Sequence, residues 1–290
     1  MEGAMKYLPL FKLRICSLIT FSAIVGLIAA RPEAPSIGKV AFLAASTMLA
    51  AGAASAFNHC FDSDIDSMME RTRERPLACG PGISRRAVLT AAFALFALAL
   101  LLSSLALNLM VALHLALGAF VYAALYTVWL KRRSRVNIVV GGLAGSFAVL
   151  AGGASASAEL CAPPVLLAVV IFFWTPSHFW AFAICHREDY EKAGVPMLPV
   201  VVGDKRAALY ILINTTFLVA ASFAPFFMGY GGWAYMAVAV CAGAYFLFWN
   251  IRLLGRPEKA LARKNFKVSM FYLGILFVSV IIDMSLKGAP

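Results

Sequence analysis

Long unbroken runs of apolar residues, separated by short polar stretches, organise this chain from one end to the other. A helix that crosses a bilayer needs roughly 20 predominantly apolar residues. Runs of that kind fall at about 12–30, 38–60, 86–106, 109–130, 137–156, 162–184, 206–228, 232–253 and 266–286. The pattern predicts an all-α, polytopic membrane protein folded as a nine-transmembrane-helix bundle, with residues 1–290 forming a single domain. The spans are rich in Gly, Ala and Ser, as over 44–55 and 141–157. Small residues let helices approach closely, so Gly141, Gly142 and Gly145 read as packing positions.

The polar stretches between the runs form two alternating classes. Basic or mixed connections are the N-terminus, 61–86, 131–135, 186–206 and the segment holding Arg252, Arg256, Lys259, Arg263, Lys264 and Lys267. Short, nearly uncharged ones are 31–37 with Arg31 and Glu33, the region of Asn108, 157–161 with Glu159, and 229–232. By the positive-inside rule the N-terminus is cytoplasmic and the C-terminus lies outside, which puts the long loops 61–86 and 186–206 on the cytoplasmic side with Lys131.

Composition fits this picture, at 62% hydrophobic and 13% charged residues. A net charge of +11 would suit nucleic acid, but the Lys and Arg residues sit in the connections, where topology requires them, so no nucleic-acid partner is expected. Lys6, Lys12 and Arg14 precede the first run like the head of a signal peptide; no small-residue cleavage site follows, and the run reads as the first span. The six cysteines are scattered without metal or disulfide spacing.

Candidate chemistry concentrates in 58–76, N-H-C-F-D-S-D-I-D-S-M-M-E-R-T-R-E-R-P. Asn58, Asp62 and Asp66 recur at i, i+4 and i+8, so a helix continuing through them presents all three from one face, with Asp64 off it. Carboxylates so spaced repel one another unless a cation lies between them, and oxygen ligands suit Mg²⁺, which leaves its other positions to water and phosphate. Arg71, Arg73 and Arg75 follow, a basic group suited to an anion bridged by that metal. Metal and guanidinium groups together describe a diphosphate site. Polar groups that begin inside an apolar span are costly unless they serve a ligand.

A second constellation runs W-T-P-S-H-F-W over 174–180, H-R-E-D-Y over 186–190 and A-G-V-P-M-L-P over 193–199. Pro176 should kink the sixth span and open its backbone near His178, which stands beside Trp174, Phe179 and Trp180. A lone intramembrane His is also a common packing residue. Glu188 and Asp189 offer a second carboxylate set.

These motifs resemble the UbiA superfamily of intramembrane prenyltransferases and, within it, the branch that farnesylates haem. The residues that carry the resemblance are Asn58, Asp62 and Asp66 with the following M-E-R-T-R-E-R-P, Tyr126-Thr127 leading to Lys131, the 174–180 motif, and Asp189-Tyr190 before A-G-V-P-M-L-P. The resemblance implies transfer of a farnesyl group from farnesyl diphosphate to a vinyl group of haem B with addition of water, giving haem O. Haem B is then a substrate and Mg²⁺ the cofactor, held by Asn58, Asp62, Asp66 and Asp189, while Arg71, Arg75 and Lys131 assist the leaving diphosphate. His178, Trp174, Asp189 and Tyr190 would bind haem, with His59, His114 and His186 as alternative ligands. It also implies a bacterial inner membrane and, as partners, the lipid bilayer and a downstream haem A synthase or terminal oxidase assembly factors.

One departure stands out. Relatives with phenolic acceptors carry D-x-x-x-D in the second motif, whereas Cys185 stands four residues before Asp189 here, which favours the haem branch and leaves the second carboxylate set thin. A quinone precursor as acceptor is the competing enzyme reading, and the 174–180 segment argues against it. A transporter is disfavoured because the acidic residues cluster at one surface and the spans show no repeat halves.

Overall fold

The computed structural model describes residues 7–30, 35–79 and 82–287; Lys6, Arg31 and Glu33 of the topological reading lie outside them. Among the described residues, a short 3-10 turn (Leu8–Phe11) precedes α1 (Leu13–Ala30), α2 (Ile37–Phe61), α3 (Ser63–Met68) and α4 (Arg85–Ala106). Next come α5 (Leu109–Phe120), which runs on as a π-helical segment (Val121–Leu130), α6 (Asn137–Ala156) and α7 (Ala162–Cys185). The chain ends with α8 (Arg187–Lys192), α9 (Leu198–Val202), α10 (Asp204–Phe227), α11 (Trp233–Gly255) and α12 (Lys259–Lys287). Nine of these units are long and apolar enough to cross a membrane, as the hydropathy pattern predicts.

Local chemistry sets several helix starts. The Ser36, Ser84 and Asn108 side chains each accept a hydrogen bond from the backbone N–H three residues on, at 3.3, 3.4 and 3.0 Å, satisfying a donor that the first turn leaves free. The ninth span begins at Lys259 rather than near 266, because the charged residues 259–267 continue the helix beyond the apolar run instead of forming a loop.

Packing is closest where side chains are smallest. α1 and α6 cross so tightly that a Cβ on Gly26 would strike the Val149 carbonyl, and one on Gly152 the Ala23 carbonyl. At Gly145 a Cβ would meet Ile171 Cγ2 at 2.8 Å, and at Gly141 and Gly142 it would press on Tyr126 and Thr175, which bears out their reading as packing positions. Gly152→Val should therefore cost about 3 kcal/mol or more and sharply lower the yield of folded protein. Gly274→Val, where a Cβ meets nothing within 4 Å, should be nearly neutral. Thermal unfolding of the two variants in detergent separates the cases, and equal effects would refute the crossing.

α7 runs unbroken through Pro176, so the expected opening of the backbone is not present. Proline at 176 removes the donor that the Phe172 carbonyl would take; the neighbouring α10 braces the same turn one residue on, where Asn214 Nδ2 donates to the Phe173 carbonyl at 2.5 Å.

At one end of the bundle the two long polar loops meet. Asp189 Oδ1 accepts the Glu70 backbone N–H at 3.2 Å, joining the segment after α3 to α8. Lys259 Nζ lies 2.9 Å from Glu188 Oε1, and Arg187 Nη1 3.5 Å from Asp204 Oδ2.

Candidate active site

α2 stops at Phe61, and Asp62 is its C-cap with φ −94° and ψ 3°. The single helix expected through Asp66 is therefore broken at Asp62, and α3 restarts one residue later. Register survives the break, since Asp62 N–H bonds Asn58 O at 2.9 Å and Asp66 N–H bonds Asp62 O at 2.7 Å. Asn58, Asp62 and Asp66 consequently face inward together, at 3%, 1% and 2% exposure. Asp64 points away and pairs with Arg132 at 2.6 Å on the surface. That guanidinium holds the Asp64 carboxyl down to about 2, so this pair's contribution is full above ordinary carboxylate pKa values and fades only as pH falls toward 2.

Each inward group is held by its own cation. Lys12 Nζ donates to Asn58 Oδ1 at 2.8 Å, Lys131 Nζ to Asp62 Oδ2, and Arg75 Nη1 to both Asp66 oxygens at 2.9 and 2.8 Å. Asn58 is oriented further by its Nδ2, which donates to Asp62 Oδ2 at 2.6 Å and to Thr127 Oγ1 at 3.0 Å. A buried charge needs such partners, and each carboxylate here has one.

The π-helical segment sets the far wall. Its wider turn links residues five apart: Lys131 N–H bonds Tyr126 O at 2.9 Å, and Thr127 Oγ1 donates to Tyr122 O at 2.8 Å. This spacing places Thr127 against Asn58 and Lys131 against Asp62, one turn apart on one face. Tyr122 and Tyr126 stack beside them with centroids 5.8 Å apart.

Arg71 and the second constellation form the other side. The Arg71 guanidinium lies over the Phe182 ring at 5.1 Å and stands close to Tyr190, whose hydroxyl burial pushes up while the Arg71 charge opposes. Phe182 adjoins Phe266 at 5.3 Å, and Phe266 stacks on His178 at 4.3 Å. Trp174 covers the other imidazole face at 4.3 Å and donates its Nε1–H to Ser269 O at 2.7 Å. An aromatic path thus leads from the basic group to His178. Among the alternatives, His114 Nδ1 lies 2.7 Å from Met110 O, and buried His59 has no partner at either ring nitrogen.

Residues 19–275 match the UbiA prenyltransferase family. The chain belongs to that family. It is 45% identical over 278 residues to Protoheme IX farnesyltransferase 1 of Paramagnetospirillum magneticum, covering 96% of this chain and 98% of the relative. It is 41% identical over 286 residues to Protoheme IX farnesyltransferase 1 of Cenarchaeum symbiosum, covering 97% and 96%. Its fold matches a digeranylgeranylglyceryl phosphate synthase with a TM-score of 0.83 at 21% identity, over 99% of this chain and 100% of that one. It also matches a UbiA homolog from Archaeoglobus fulgidus bound to DMAPP and Mg²⁺, with a TM-score of 0.72 at 20% identity, covering 96% and 99%.

As a UbiA-family prenyltransferase the chain has a donor set suited to a hard divalent ion. Asp62 Oδ1 is buried with no hydrogen-bond partner, an oxygen that a cation would satisfy. Among the described residues no three His, Cys, Asp or Glu converge to hold a metal by themselves, so Asp189 does not close a set with Asp62 and Asp66. Mg²⁺ needs few protein ligands when diphosphate supplies the rest, so the cluster fits it. Lys12 is the residue that sequence reasoning missed, because nothing local to it announces a partner 46 positions away.

Proposed function

We propose that this chain, acting as one domain, transfers the farnesyl group of farnesyl diphosphate to a vinyl carbon of haem B, with addition of water, to give haem O and diphosphate. The observation that carries the reading is the buried cluster of Asn58, Asp62 and Asp66, each ligand paired to a cation, in a chain 45% identical over nearly its whole length to a protoheme IX farnesyltransferase. Asn58, Asp62 and Asp66 would hold Mg²⁺. When bound, Mg²⁺ supplies Lewis-acid stabilisation of the leaving diphosphate.

The chain's own groups do the rest. Arg75 and Lys131 turn from their carboxylates toward the phosphate oxygens, and Arg71 reaches them from the Phe182 side, stabilising negative charge as the C1–O bond breaks. The allylic farnesyl cation that remains is sheltered by the Tyr122 and Tyr126 rings, whose π faces favour positive charge and exclude water until the vinyl carbon attacks. Water then adds to the haem-side cation and releases a proton. Trp174, His178 and Tyr190 position the porphyrin, and Asp189 ties the loop bearing Arg71 to the haem side through its bond to Glu70.

Purified protein supplied with farnesyl diphosphate, haem B and Mg²⁺ should yield a later-eluting haem with the mass of haem O, and chelation of Mg²⁺ should stop it. Absence of that product, with transfer to a quinone precursor instead, would reject the haem reading. The cytoplasmic placement of the site is tested separately. Reporter fusions after Ser134 and Gly203 should report cytoplasm, and fusions after Glu159 and Gly231 the opposite side; two reversed sites would refute the orientation.

A further inference from the structure

The charges at the site do not balance as expected for a cluster of metal ligands. Two carboxylates, Asp62 and Asp66, are already matched by Lys131 and Arg75, and a third cation, Lys12, is spent on the neutral amide of Asn58. A cation bonded to an amide gains less than one bonded to a carboxylate, so Lys12 is the one most readily drawn to an incoming anion.

Its placement is built rather than incidental. The 3-10 turn Leu8–Phe11 packs on α2, with Leu10 fully buried and its carbonyl accepting Ser55 Oγ–H at 2.9 Å. Phe11 O accepts the Cys16 thiol at 3.0 Å and Lys12 O accepts the Ile15 N–H at 2.8 Å, so the peptides on both sides of Lys12 are fixed. Between them Lys12 itself adopts φ 43° and ψ 51°, the one positive φ among described non-glycine residues. Such backbone persists where the surroundings demand it, and here it aims the ammonium at Asn58.

Among the described residues a second metal position is not assembled. Asp189 Oδ1 is taken by the Glu70 N–H, Glu188 pairs with Lys259, and the Cys185 thiol points to the Lys259 carbonyl at 3.6 Å. We propose that Lys12 binds the diphosphate and supplies the charge that a second metal ion would otherwise bring, so that one divalent cation suffices. With Lys12 the paired groups carry one net positive charge. One Mg²⁺ then brings the site to about the three negative charges of a prenyl diphosphate. Arg71 and Asp189 on the opposite side add one charge of each sign and leave that count unchanged, so without Lys12 one Mg²⁺ falls short.

This rests on the prenyl diphosphate reading above, and calorimetry with inorganic pyrophosphate separates the two. In detergent-purified wild-type protein, the slope of log affinity against log Mg²⁺ concentration should be about one, since linkage reports the ions taken up with the anion. A slope near two would overturn the proposal whatever the variants do. At fixed Mg²⁺, Lys12→Met should lose on the order of tenfold to a hundredfold in pyrophosphate affinity and steepen the slope, while Lys12→Arg stays within about threefold of wild type. Lys12→Met with native thermal stability and unchanged affinity would refute the role of Lys12. Failure of the wild type to bind pyrophosphate at any Mg²⁺ concentration would instead defeat the prenyl diphosphate reading, and this inference with it.

Discussion

Asp62→Ala and Asp66→Ala should each lower farnesyl transfer by roughly a thousandfold or more, because on the proposed reading each removes a metal donor that acts as the leaving group gains charge. Asp64→Ala should stay within about tenfold of wild type, since its carboxylate lies on the surface with Arg132. Folding complicates the first two variants. Asp62→Ala strands the Lys131 ammonium at 8% exposure, and breaking a buried pair costs about 3–5 kcal/mol. The double variant Asp62→Ala/Lys131→Met removes both charges and should recover most of that stability while remaining inactive. Activity and thermal unfolding of the four proteins decide the matter. Recovered activity in the double variant, or equal mild losses at all three aspartates, would show that the inward face holds no metal.

Much of this architecture was legible in the sequence because hydropathy is a windowed property and the bilayer fixes the window. All nine runs became spans, and Asn58, Asp62 and Asp66 did turn to one side. Local pattern fails where the answer depends on a distant partner or a small change of pitch. The run 121–130 is apolar throughout, and such a run carries no mark distinguishing a π-helix from an α-helix; the wide turn emerges where Thr127 and Lys131 meet α2. The break at Asp62 was equally hidden, because D-S-D-I-D reads as continuous helix until Lys131 and Arg75 claim separate carboxylates. The opening of the backbone expected at Pro176 is absent because α7 stays helical through it, braced on that turn by Asn214, 41 residues on from Phe173, whose carbonyl it holds.

His178→Ala should weaken haem binding by roughly tenfold to a hundredfold while leaving farnesyl diphosphate binding at the Asp62 site intact. The proton arrangement supports iron ligation. Ser269 has one hydroxyl hydrogen, and its Oγ donates to Phe266 O at 2.7 Å. At the 2.7 Å contact between Ser269 Oγ and His178 Nδ1, the ring must then be the donor. Nδ1 therefore carries the proton, and Nε2 keeps the lone pair that haem iron requires, with Trp174 and Phe266 fixing the ring plane from both faces. Ser269→Ala tests that arrangement, since loss of the partner that sets the tautomer should weaken haem binding by less than loss of the imidazole itself. The competing role is packing: His178 is 7% exposed, and its removal opens a cavity between two rings. Packing alone predicts that His178→Ala loses thermal stability and affinity for both substrates together, with no change in the Soret band of residual bound haem. Ligation predicts a shifted Soret band and loss of haem affinity only. Titrating haem B and farnesyl diphosphate separately into wild-type, His178→Ala and Ser269→Ala protein distinguishes them, and a stable His178→Ala protein with unchanged haem affinity would remove His178 from the haem site.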